Sequence, residues 1–389
     1  MTAVREWTEE QRRAIERRDG DLLLDAGAGS GKTSVLVERF VAAVLADGID
    51  VSALLTITFT EKAAAELRDR IRARLRDLGA SELARQTEGA FISTIHGFCA
   101  RLLRAHALAA GLAPDFVVLD RHQSEPLTAA AFDDALTELA RDGEQTVDLI
   151  AAYGWWPLRA AILGAYAQLR SAGQLAPRLP ALASGLEDPE AAGRLHRAAA
   201  ALAAELGAIA DPSVRVIEAQ ERVAAALQVA GRGPSVWPGE LDRVRLPRNG
   251  AALSTDACVA YTEALMAFRA ACAARAAGPV RDLLDALLGA YGRYYAARKR
   301  AVSGIDFEDL ELMGRQLLAQ DVELRERYAE RFERIMVDEL QDTNRVQLEL
   351  IESITRDNLF TVGDAQQSIY GFRHAEVALF AQRGERLAA

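Results

Sequence analysis

Residues 22–33 read Leu22-Leu23-Leu24-Asp25-Ala26-Gly27-Ala28-Gly29-Ser30-Gly31-Lys32-Thr33, an apolar run entering a glycine-rich turn, with a helical pattern from Ser34 to Phe40 behind it. That order predicts strand, loop and helix. Glycines at 27, 29 and 31 let successive backbone N–H groups converge on an anion, and the helix start adds its dipole at the same point. In such a loop Lys32 reaches the β- and γ-phosphates of a nucleotide and the Thr33 hydroxyl binds Mg²⁺. The usual pattern opens on glycine, where this chain has Ala26; Gly27 is expected to absorb the turn. A chance glycine turn with an adjacent Lys-Thr is the bland alternative, and the flanking strand and helix argue against it. The chain has three lysines, at 32, 62 and 299, and every other cation is arginine. Even so, a lysine stands where a compact ammonium is wanted. The loop residues 26–33 are therefore expected to form a nucleoside triphosphate site with Mg²⁺.

The bulk properties limit what surrounds this loop. A chain of 389 residues is long for one domain, so two are expected. No uncharged apolar run approaches about 18 residues, and the N-terminus lacks a basic-then-apolar leader, which predicts a cytoplasmic protein without a membrane partner. Cys99, Cys258 and Cys272 are far apart and odd in number, suiting reduced core thiols over disulfides or a metal cluster. A net charge of −10 excludes a uniformly basic nucleic-acid binder but leaves room for a local basic groove.

Along the chain, Thr8 and Gln11 form a capping-box pattern before the first strand. Capping alone explains Gln11; its place just ahead of the loop raises a second role, an amide reading adenine. Residues 53–60 read as a buried strand ending in hydroxyls and Phe59, an aromatic where ligands meet a parallel sheet. A helix from Glu61 to about Leu78 follows, with Arg68, Arg72 and Arg76 read mainly as a solvated face. Residues 90–98 repeat the strand-to-helix pattern to about Ala109. Spacing leaves His96 open between a satisfied core residue and a backbone contact. Residues 116–120 read as another short strand. From His122 to about Arg300 the chain becomes Ala- and Leu-rich with helical periodicity, broken near Gly154, at Pro177 to Pro180 and at Asp211-Pro212, and loosened between Gly231 and Gly250 around Trp237. No catalytic constellation stands out there. Residues 303–310, Ser303-Gly304-Ile305-Asp306-Phe307-Glu308-Asp309-Leu310, read as a turn and a fresh capped helix. Residues 334–339 read as a buried strand ending in Asp338 and Glu339, one carboxylate for Mg²⁺ and one to orient or deprotonate water. The alternative is an acidic helix start. Residues 359–364 form a last strand.

Seven stretches in order, WTEEQRRAI, DAGAGSGKT, TFTEKAAAELRDRI, STIHGFCARLL, DFEDL, MVDELQDTN and VGDAQQSIYGFR, make the chain resemble the first half of a UvrD/Rep/PcrA-type superfamily 1A DNA helicase, with an insertion length closer to the RecB and AddA branch. The resemblance implies an α/β fold: a RecA-like P-loop NTPase domain, its parallel sheet flanked by helices, formed by residues 1–120 and 303–389 and interrupted by an all-helical domain over 121–302. It implies that Gln11 reads adenine, that Lys32 and Thr33 contact phosphate and Mg²⁺, that Asp338 binds Mg²⁺ and that Glu339 is the catalytic base. It also implies that Gln367 senses the γ-phosphate, that Arg373 links it to DNA, and that Thr58, Phe59, His96, Tyr370 and Phe372 face single-stranded DNA. Leu340 stands where the family usually has Phe or Ala, and Phe372 where the short helicases have Trp. The implied activity is 3′-to-5′ translocation on DNA in repair or recombination. Single-stranded or 3′-tailed DNA would be the substrate, and a further partner would be a nuclease or helicase subunit. The family's second RecA-like domain, which supplies two more arginines to the γ-phosphate, has no counterpart in these residues. The rival expectation is therefore a non-catalytic fragment or adaptor that binds ATP and single-stranded DNA.

Overall fold

A computed structural model describes residues 6–27, 29–142, 144–182, 188–247, 253–364 and 377–388. In chain order the helices and strands are α1 Glu9–Glu16, β1 Leu22–Asp25, α2 Lys32–Leu45, β2 Leu54–Thr58, α3 Glu61–Asp77, α4 Ser81–Gln86, β3 Phe91–Thr94, α5 Ile95–Ala105, β4 Val117–Val118, α6 Arg121–Asp142, α7 Glu144–Tyr153, α8 Trp155–Ser171, α9 Ala191–Gly207, α10 Val214–Gly231, α11 Asp256–Ala301, β5 Gly304–Ile305, α12 Phe307–Gln320, α13 Val322–Arg331, β6 Arg334–Val337, α14 Arg345–Glu352, β7 Leu359–Gly363 and α15 Val377–Ala388. The chain forms two compact units, one of Met1–Glu138, Trp156–Pro177 and Gly289–Ala389, the other of Leu139–Trp155 and Arg178–Leu288.

The first unit is built on a parallel sheet in the order β1-β7-β6-β2-β3. Its strands are apolar on both sides because both faces are covered. Successive residues alternate between two cores. Leu55, Ile57, Ile335, Val337 and Leu359 pack with α5, α12, α13 and α14. Leu54, Ile92, Met336, Phe360 and Val362 pack with α1, α2 and α3. Arg39 fixes α1 on α2: its buried guanidinium donates to the carbonyls of Ala14 and Arg17, each at 2.6 Å. Burial, with Arg18 nearby, pushes that guanidinium down to about 10.

The sequence reading holds for the five main strands, for the cap at Thr8 and for a capped helix after residue 303, which Asp306 opens; the strand-end hydroxyls of Thr60 and Thr94 also cap the helices that follow. Details differ elsewhere. Gly304 and Ile305 are not a simple turn; they pair in parallel with Val117 and Val118, a two-stranded ribbon that hydropathy alone does not reveal. The helical stretch expected to end near Arg300 closes in one 46-residue helix, α11, which ends at Ala301. The helix after β3 ends at Ala105, short of Ala109. Arg68 and Arg72 are half-buried, not solvated: Arg68 donates to the Ile92 carbonyl at 2.7 Å and Arg72 to Thr87 Oγ1 at 3.3 Å, leaving Arg76 exposed. The edge strand β3 and the residues leading to it offer acceptors that long arginines on α3 can reach.

The second unit is helical. Leu195, Leu202, Val223, Tyr261, Phe268 and Cys272 from α9, α10 and α11 form its core, and the Tyr261 hydroxyl donates to the Val244 carbonyl at 2.6 Å. By length and composition α11 could cross a membrane, yet Tyr261, Phe268 and Cys272 on it are core residues of this unit. All three cysteines are free and buried.

Within the first unit, Lys299 lies between Asp306, at 2.6 Å, and Asp309, which Arg170 also grips. This places a second lysine where a compact ammonium must fit between carboxylates. Removing one partner leaves a buried charge uncompensated. Lys299→Met is expected to destabilise the protein by about 3–5 kcal/mol, read as a lower urea midpoint, whereas the exposed Lys62→Met should leave it unchanged.

Candidate active site

The carboxyl ends of β1, β7, β6, β2 and β3 open on one side of the sheet, where ligands of open parallel sheets bind. The expected site residues that the structure describes gather there. Gln367, Tyr370, Phe372, Arg373 and Ala28 lie outside the described residues.

At the end of β1 the Ala26 N–H donates to the Gly363 carbonyl at 3.1 Å, tying the loop to β7. Gly29 and Gly31 take left-handed backbone, with φ of 74° and 86°, and Gly31 opens α2. Gly27 does not share that conformation, and a β-carbon there would meet only Asp364 at an ordinary 3.8 Å. The turn is therefore absorbed at Gly29 and Gly31, not at Gly27 as expected. Gln11 does complete the capping box with Thr8, and its amide nitrogen donates to the Ser30 carbonyl at 2.8 Å. Both ends of the amide are engaged by the protein, so reading an adenine requires exchanging at least one of these partners.

Lys32 is buried, and among the described residues its Nζ makes no hydrogen bond. Its ion-pair partner, Glu339 Oε2, is 3.6 Å away. A buried ammonium lacking a hydrogen bond is costly, and phosphate oxygens at the loop would supply acceptors. Thr33, Asp338 and Glu339 line one cavity of about 300 Å³ with Thr58 and Phe59. A hydroxyl and a carboxylate are the oxygen donors that Mg²⁺ takes alongside phosphate. On this chemistry the residues present fit Mg·ATP.

Asp338 is fixed by its N–H to the Ile57 carbonyl at 2.8 Å. Burial, then the neighbouring charge of Glu339, pushes its carboxyl up to about 6, with Lys32 and Arg70 opposing. Glu339 takes left-handed backbone, φ 55° and ψ 46°, a strained setting for a glutamate. Its Oε2 accepts from Gln341 Nε2 at 2.7 Å.

A second cavity, of about 440 Å³, is lined by Phe59, His96, Phe307, Glu308, Glu311 and Asp342 among others. Phe59 and Asp342 line both cavities. His96 Nε2 lies 2.8 Å from Glu311 Oε1 and its ring meets Phe307 edge-on at 5.1 Å. The buried Glu311 also accepts from Asn344 at 3.1 Å and Gln347 at 2.6 Å. Its carboxyl is lowered because the bonds and charge of His96, with Gln347 and Asn344, outweigh burial. Glu308 is pushed the other way, by burial and by Asp306. Carboxylates here repel phosphates, whereas Phe59, His96 and Phe307 offer rings to bases. Thr58 is only 2% exposed, and its hydroxyl lacks a hydrogen-bond partner among the described residues; it lines the cavity of Thr33, Asp338 and Glu339.

Sequence reasoning missed Glu311, Phe307 and Gln341. A signal existed for Glu311, a carboxylate set between Leu310 and Leu312 in the apolar stretch of its helix. Gln341 stands in the stretch MVDELQDTN, but its bond to Asp364 is known only once β6 and β7 are adjacent.

The fold and the site define a RecA-like P-loop NTPase domain. The family model described as UvrD/REP helicase N-terminal domain matches residues 7–387, and the chain belongs to that family. It is similar to several bacterial proteins named as subunits of an ATP-dependent helicase/nuclease. That of Alkaliphilus metalliredigens is 30% identical over 98% of this chain and 36% of its own length. That of Syntrophomonas wolfei is 30% identical over 97% and 35%, and that of Desulforudis audaxviator 33% over 97% and 37%. The chain thus spans about a third of the length of these curated relatives.

The raised Asp338 carboxyl has a direct consequence. Its charge opposes folding in full above about pH 6 and not at all below the ordinary value of 3.8, so its contribution to stability falls as pH rises through that window. Asp338→Asn should therefore stabilise the ligand-free protein by roughly 1–3 kcal/mol at pH 8. The gain should vanish near pH 4, as read from urea unfolding at both values.

Proposed function

We propose that this chain is the ATP-binding motor half of a 3′-to-5′ DNA helicase that serves repair or recombination. The observation that carries the reading is Lys32: its buried ammonium has no hydrogen bond among the described residues and stands at the mouth of a glycine loop, beside Thr33, Asp338 and Glu339. ATP with Mg²⁺, when bound, supplies the phosphoanhydride and the charge that these residues await.

In this reading Gly29 and Gly31 present backbone N–H groups to phosphate, Lys32 neutralises its oxygens, and Thr33 and Asp338 hold the metal. Glu339 takes a proton from the attacking water. Gln11 contacts the base, and Gln367 and Arg373 relate the γ-phosphate to DNA. Thr58 belongs to the strand end between the two sites, while Phe59, His96, Tyr370 and Phe372 meet the bases of a single strand. The helical residues 121–302 act as an inserted domain of the motor. The cytoplasm is the proposed compartment.

The relatives' name joins helicase and nuclease in one assembly, which supports a partner that is itself a nuclease or helicase subunit. Phosphoryl transfer gains about 10³ to 10⁵ in rate from an inserted arginine, and the resemblance assigns such arginines to a second RecA-like domain.

Glu339→Gln should keep affinity for a fluorescent ATP analogue within a few fold while lowering turnover by on the order of 10². Equal losses would favour a metal or folding role. Residues 1–389 alone should hydrolyse ATP near background in a steady-state assay, retaining a slow basal cleavage that single-turnover measurement with protein in excess resolves; robust DNA-stimulated turnover by the monomer would contradict this. Tyr370→Ala should weaken single-strand binding by about 1–3 kcal/mol with little sequence dependence, measured by anisotropy, and unchanged binding would remove Tyr370 from the DNA site. A wild-type protein that binds ATP and DNA but never cleaves would favour the adaptor reading.

A further inference from the structure

Gln341 is 1% exposed and lies between the ends of two adjacent strands, β6 and β7. Its amide nitrogen donates to Glu339 Oε2 at 2.7 Å. Its amide oxygen accepts the N–H of Asp364 at 3.0 Å. The chemistry fixes which end is which: a carboxylate only accepts and a backbone N–H only donates, so this position needs one group that does both. The fit is close. A β-carbon on residue 363 would lie 2.6 Å from Gln341 Oε1 and 2.6 Å from the Phe380 ring, contacts that only glycine avoids. The carboxylate that Gln341 holds belongs to a residue in left-handed backbone, whose direction the local chain does not favour by itself.

We propose that Gln341 is the positioning residue for Glu339: it uses the end of β7 as a fixed anchor and aims the Glu339 carboxylate at the position of the attacking water. Misplacement of a catalytic group by about 1 Å can cost 10²-fold, so a single tether of this kind can decide the rate through the direction of one carboxylate. The inference rests on the nucleotide reading of this site and adds a residue to it.

Two variants separate the roles of the amide. Gln341→Met has similar length and loses both bonds. Gln341→Glu keeps an oxygen for the Asp364 N–H but turns a second negative oxygen toward Glu339. The experiment measures affinity for a fluorescent ATP analogue, single-turnover cleavage of Mg·ATP with protein in excess, and hydrogen exchange at the Asp364 amide. Both variants should bind the analogue within about threefold of wild type and cleave ATP at least tenfold more slowly. The Asp364 amide should exchange at least tenfold faster in Gln341→Met and at the wild-type rate in Gln341→Glu. Cleavage at the wild-type rate in either variant overturns the proposal. So does a loss of affinity equal to the loss of cleavage, which would mark a merely structural residue. A wild-type protein that binds the analogue without cleaving it removes the step Glu339 would serve and overturns the proposal as well. Wild-type protein that binds no analogue defeats the nucleotide reading itself, a result distinct from all of these.

Discussion

The first unit depends on carrying a buried lysine to the edge of a fully covered parallel sheet. Lys32 is the first residue of α2, a helix whose Leu36 and Phe40 are completely buried. Packing of that helix fixes where the ammonium emerges. The energy for holding an ammonium with no hydrogen bond among the described residues comes from the apolar faces beneath it, each buried side chain of this kind contributing about 1.5–3 kcal/mol. A phosphate would then be bound by a cation that has already lost its water.

The same low polarity acts on the acids. Asp338, at the end of β6, is charged against its surroundings, and Glu339 beside it raises the cost. Lys32 answers both, so cation and carboxylates are each incomplete without the other and without a ligand. Away from that cavity, the Glu311 network fastens His96 to α12 and α14, and Phe59 stands between the two cavities. An aromatic ring shared by two cavities is a short physical route for coupling whatever occupies them.

Much of this was legible in the sequence because it is local. Apolar runs ending in Asp338-Glu339 or Gly27 to Thr33 name a strand and the residues at its end, and the capping pattern of Thr8 with Gln11 marks a helix start by side chains within three residues. What stayed hidden involves partners distant in sequence. Gly304-Ile305 looks like a turn until Val117-Val118 lies beside it. Arg68 and Arg72 look solvated until β3 is placed under them. The left-handed residues of the loop fell on Gly29 and Gly31, because backbone geometry there is set by the start of α2 and not by the count of glycines. Glu311 and Gln341 were missed for the same reason, since a buried polar group is informative only when its partners are known.

The central claim is that Lys32 is buried, with no hydrogen bond among the described residues, because a triphosphate completes it. Equilibrium titration of a fluorescent ATP analogue with Mg²⁺ into wild type and Lys32→Ala, both checked for the same circular dichroism and urea midpoint, tests this most directly. The account predicts saturable binding by wild type and none by the folded variant, since Lys32 Nζ makes no hydrogen bond among the described residues and its loss leaves both cores intact. Unchanged affinity in a folded Lys32→Ala protein would contradict it.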